Sequence, residues 1–130
     1  MYTFLLSSNL AFSLPAGVAM ARGFPFLGLS VTMAAVSSYI YHMNHSCSSA
    51  HMLDVVVAMV TFMFMSVLIL CAGSAWLGSF ALALAVIGIS LFLDVGDYED
   101  ETFCVTHSLW HICMALCAGI GVAALKQGVA

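Results

Sequence analysis

A chain of 130 residues that is 64% hydrophobic and only 6% charged, with a formal net charge of −4, cannot cover a water-exposed surface. Soluble domains devote about a quarter of their residues to charge. The mean hydropathy of +1.14 excludes a soluble enzyme and predicts an all-α, polytopic integral membrane bundle, one domain over residues 1–130, and two basic residues make no basic patch for nucleic acid.

Five apolar stretches approach the roughly 20 residues that a membrane helix needs. The first covers about residues 3–21. Pro15 would kink it, and "VAMA" before Arg22 also resembles a signal-peptidase site, so a cleaved signal is the alternative reading. "ARGFP" breaks the pattern, and Pro25 suits the first turn of a second helix over about 24–42. The polar connector "MNHSCSSAH" leads to a third span over about 51–72. Its Met-rich run "MVTFMFMSV" reads as packing, because no second Met run faces it. The small-residue turn "CAGSA" precedes a fourth span over about 75–93. The loop "DVGDYEDE" holds five of the six acidic residues and reads as solvated. The fifth span covers about 102–125.

Five spans put the N-terminus, "MNHSCSSAH" and "DVGDYEDE" on one side. Arg22 and Lys126, the only basic residues, fall on the other. Excess basic residues mark the cytosolic side, which places the N-terminus outside.

Ionisable residues in spans are expensive and imply function. His42 ends the second span, Asp54 opens the third, and His107 and His111 open the fifth. All four fall at the same, non-cytosolic face. His107 and His111 are four apart and share a helix face, and Ser38 lies one turn before His42. Three imidazoles and a carboxylate fit a catalytic zinc with a position open for water. Asp54 could serve as general base, as an anchor for a ligand, or as a ligand itself. The plainer readings are interfacial histidines at a helix end and an Asp54 that favours the helix dipole. His45 and His51 read as solvated.

The segments "SSYIYH", "LDVVVAMV" and "HSLWHICMALCAG" together resemble the CREST superfamily of membrane hydrolases. That group includes alkaline ceramidases and adiponectin-type receptors, and the resemblance is strongest to its transmembrane-protein-8 and myomaker group. It implies zinc held by His42, His107 and His111, with Asp54 and Ser38 beside the metal-bound water. The family core has seven spans against five here. The two missing ones would fall between the third span and the last two, which preserves sidedness but removes much of the wall around a lipid tail.

Cys47 and Cys104 lie on the predicted outer side and could pair in an oxidising compartment. A bound metal could instead recruit Cys104. Cys71 lies near the opposite face, and Cys113 and Cys117 read as small buried hydrophobes.

Two functions follow. One is a zinc-dependent hydrolase cleaving an amide or ester of a membrane lipid. The other is a non-catalytic subunit of a larger membrane complex, packed through the small residues of "AGSAWLGS" and "CAGIGVAA". A channel or transporter is weaker, because no broken-helix repeats are visible.

Overall fold

The computed structural model describes residues 2–72, 74–92 and 101–125. Most of the acidic loop, and Lys126, lie outside the described residues.

The architecture is all-α. The first rod is built from α1 (Tyr2–Ser8), a 3-10 turn (Asn9–Phe12) and α2 (Ser13–Ala21). There follow α3 (Pro25–Met43), α4 (Ser48–Ala72), α5 (Ala75–Phe92) and α6 (Glu101–Ala124). Each predicted span is therefore a helix. Three segments, Thr3–Ala21, Ser48–Cys71 and Glu101–Ala124, are long and apolar enough to cross a membrane. In α5 the apolar stretch Ala75–Ser90 is shorter. The 19 residues of α3 include buried Ser37, Ser38 and His42, which dilute its apolar character.

The first rod is not uniformly α-helical, and Pro15 explains where it changes. Proline lacks an N–H and its ring crowds the carbonyl four residues earlier, here that of Ala11. That carbonyl lies within the 3-10 turn Asn9–Phe12.

The turn into α3 is a Schellman motif. The Phe24 N–H donates to the Ala19 carbonyl at 2.9 Å and the Gly23 N–H to the Met20 carbonyl at 3.1 Å. Gly23 has φ +86°, a conformation that glycine adopts without a Cβ penalty. Pro25 then occupies the first turn of α3, where a missing N–H costs nothing.

Helix α6 is the hub. It touches α1, the 3-10 turn, α2, α4 and α5, while α3 lies between the first rod and α4. The core is rich in small residues, with Ala16, Ala19, Ala81, Ala85, Ala115 and Ala118 all buried. Small side chains let helix backbones approach where no water drives them together. Gly28 marks a close crossing, since a Cβ there would fall 2.8 Å from the Ala16 carbonyl oxygen.

The helices alternate in direction, which gives the bundle two chemically distinct ends. At one end Arg22 donates to the carbonyls of Val122 at 2.5 Å and Leu125 at 2.8 Å. The Ser74 N–H donates to the Ala124 carbonyl at 2.9 Å. The last carbonyls of a helix lack intrahelical donors and carry partial negative charge. The turns before α3 and α5 thus both clasp the C-terminus of α6. The opposite end gathers the histidines.

Candidate metal centre

His42 comes from the last turn of α3, and His107 and His111 come from successive turns of α6. One ligand nitrogen from each lies within 4.8 Å of the others, and all three residues are buried. His42 and His111 are fully enclosed, and His107 is 6% exposed.

The rings form a nearly equilateral triangle. Centroid separations are 4.9 Å for His42–His107, 5.1 Å for His42–His111 and 4.9 Å for His107–His111, with interplanar angles of 83°, 63° and 81°. The Nε2 atoms of His42 and His111 are 3.3 Å apart. Two nitrogens each about 2.0–2.1 Å from one tetrahedral ion stand about 3.3 Å apart. The donor set therefore fits a metal ion, and the buried triad could hold one. Asp54 and Cys104 are not part of this group.

Ser38 sits one turn from His42, and its Oγ is 3.2 Å from His111 Nε2. Asp54, buried in α4, accepts a hydrogen bond from Ser37 Oγ at 3.3 Å. Asp54, Ser38 and His111 line one cavity of about 50 Å3, otherwise walled largely by apolar side chains such as Phe62, Met65 and Met114. Phe62 and Met65 also line a larger groove of about 360 Å3 between α4 and α5, with Cys117 at its wall. The Cys117 thiol donates to the Ala81 carbonyl at 3.1 Å.

Aromatic rings wrap the histidines. Trp110 lies 5.1 Å from His107 and 4.9 Å from His111 between centroids. Phe103 lies 5.1 Å from His107, Tyr41 lies 5.1 Å from His42, and Phe12 meets His111 edge-on at 6.2 Å. An apolar shell of this kind limits water access and strengthens the field of a bound cation.

Sequence spacing did not single out Ser8, Phe12 or Ser37. Ser8 Oγ is 2.7 Å from His111 Nδ1. The signal present was the consecutive polar triplet Ser7, Ser8 and Asn9 within a largely apolar span, since buried polar groups at membrane depth need partners. His45 and His51 are exposed. Among the described residues no disulfide joins Cys47 to Cys104. Cys47 is exposed in the connector, whereas Cys104 is buried in α6.

No family model, curated protein or solved structure matches the chain.

Proposed function

We propose that the chain is a zinc-binding integral membrane hydrolase of CREST type, cleaving an amide or ester bond of a membrane lipid. The observation that carries this reading is the buried triad of His42, His107 and His111, set against a cavity lined by Ser38 and Asp54. Three histidines with a position left open is the ligand set of catalytic zinc. Zinc bound there would supply Lewis acidity, polarising a carbonyl and making a water acidic near neutral pH.

The chain's own residues would do the rest. The Asp54 carboxylate, oriented by the Ser37 hydroxyl, takes a proton from the attacking water and passes it to the leaving group. The Ser38 hydroxyl donates to charge developing on the carbonyl oxygen. The aromatic shell keeps bulk water out. The groove beyond Phe62 and Met65 offers apolar wall to a lipid tail.

Elemental analysis of the purified protein tests the metal. One zinc per chain is expected in the wild type and none in His111→Ala. A metal-free wild type would sink the proposal. Release of fatty acid from amide- and ester-linked lipids in mixed micelles tests the chemistry.

One observation favours a second reading, a metal-stapled subunit of a larger membrane assembly. The cavity beside His111, about 50 Å3, has room for a few waters and is far smaller than the 300 Å3 or so of a usual ligand pocket. Zinc without turnover on either lipid class, together with stoichiometric co-purifying partners, would select that reading.

A further inference from the structure

The Ser8 side chain is buried, 6% exposed, and its hydroxyl touches two groups. It lies 2.6 Å from the Leu5 carbonyl oxygen and 2.7 Å from His111 Nδ1. A hydroxyl has one proton, and a carbonyl oxygen can only accept. When the proton serves Leu5, the Ser8 oxygen offers a lone pair to Nδ1, and Nδ1 must carry the hydrogen. A neutral imidazole protonated at Nδ1 has its lone pair on Nε2. Nε2 is the His111 atom that faces His42 Nε2 at 3.3 Å and Ser38 Oγ at 3.2 Å. The other tautomer abandons the Leu5 bond, sets two acceptors 2.6 Å apart and turns an N–H toward His42.

We infer that Ser8 is a positioning residue of the metal centre: its hydroxyl holds His111 as the Nδ1–H tautomer and presents Nε2 to the ion. The inference rests on the metal reading above and adds the first rod to the site. Phe12, one turn along that rod, packs edge-on against the same ring, so the rod fixes both the tautomer and the tilt of His111. Removing such an outer partner of a ligating histidine typically costs about 10–100-fold in metal affinity.

Cobalt(II) titration of the full chain in detergent, followed by its visible ligand-field bands, tests this with Ser8→Ala and Ser8→Thr. Ser8→Ala should bind about 10–100-fold more weakly at unchanged helicity, and Ser8→Thr should restore binding. Nitrogen-15 spectra of the metal-free wild type should show His111 protonated at Nδ1 and bare at Nε2, and this readout does not depend on a variant folding. A His111 protonated at Nε2, or equal cobalt affinity in wild type and Ser8→Ala, overturns the Ser8 role while leaving the metal reading intact. A wild type that takes up neither cobalt nor zinc overturns both.

Discussion

At the scale of residues, the proposed function gives the three imidazoles and the carboxylate separable tasks. His107→Ala should lose metal as fully as His111→Ala, because each removes one corner of a three-nitrogen triangle; elemental analysis reads this directly. In the proposed hydrolase, Asp54→Asn should keep zinc, since Asp54 lies outside that triangle, yet lose about 10²–10⁴-fold in turnover as general base. Zinc lost from Asp54→Asn would instead make Asp54 a ligand or its anchor. The histidines stood out in the sequence because imidazoles in an apolar helix are costly wherever they point. Ser8 did not, because serine in a helix satisfies itself by bonding to its own preceding carbonyls. Ser7 and Ser13 do this, to Phe4 and Leu10, and Ser8 does it too. Nothing in the order of residues separates it from its neighbours. Only the packing of α1 on α6 brings it to His111.

At the scale of elements, the bundle depends on how helix ends are closed and how near their axes come. The Arg22 guanidinium joins the Val122 carbonyl in the last turn of α6 to the Leu125 carbonyl just beyond it, a favourable place for positive charge. Arg22→Ala should destabilise the protein by about 2 kcal/mol and speed amide exchange in the last turns of α6, with Arg22→Lys recovering part of the loss. An unchanged exchange rate would mean that the clasp contributes nothing. In the sequence Arg22 marks orientation, and its capping role appears only when α2 and α6 end side by side. Glycines on different helices should also differ. A Cβ on Gly28 meets backbone, the Ala16 oxygen at 2.8 Å, whereas one on Gly121 meets the flexible ends of Ile69 at 2.9 Å and Met65 at 3.0 Å. Gly28→Ala should therefore cost about 1–3 kcal/mol and Gly121→Ala distinctly less, as read from unfolding in mixed detergent. The Pro15 break was legible because proline removes a donor wherever it sits. That the break takes the form of a 3-10 turn lying against α6 was not.

At the scale of the molecule, the two ends make an orientation test possible. Cys47 lies in the connector at the histidine end and Cys71 near the end of α4, and both are exposed. In chains retaining one of these cysteines, the sidedness reading expects a membrane-impermeant maleimide to label Cys47 in sealed vesicles whose non-cytosolic face is outward, and Cys71 only after permeabilisation. The reverse result would put the histidine end in the cytosol. Because the triad joins α3 to α6, an ion bound there should also stabilise the whole bundle. Zinc held there at about 100 times its dissociation constant would add about 2.7 kcal/mol, which a chelator should remove from the wild type but not from His111→Ala.

The sequence by itself determined the membrane class, the five helices and the residues able to bind an ion. Apolar runs, proline and charge act locally and need no knowledge of the fold. The chain's alternation between two ends also followed from counting, which is why His42, His107 and His111 could be placed at one end beforehand. Tertiary structure alone decided that three imidazoles converge while Asp54 lines a small cavity beside His111. It alone placed the first rod against His111 and Arg22 under α6. Those contacts join residues about a hundred positions apart, so they depend on the rotation of each helix about its axis. Packing of small side chains such as Ala16 and Gly28 sets that rotation, and no local pattern encodes it.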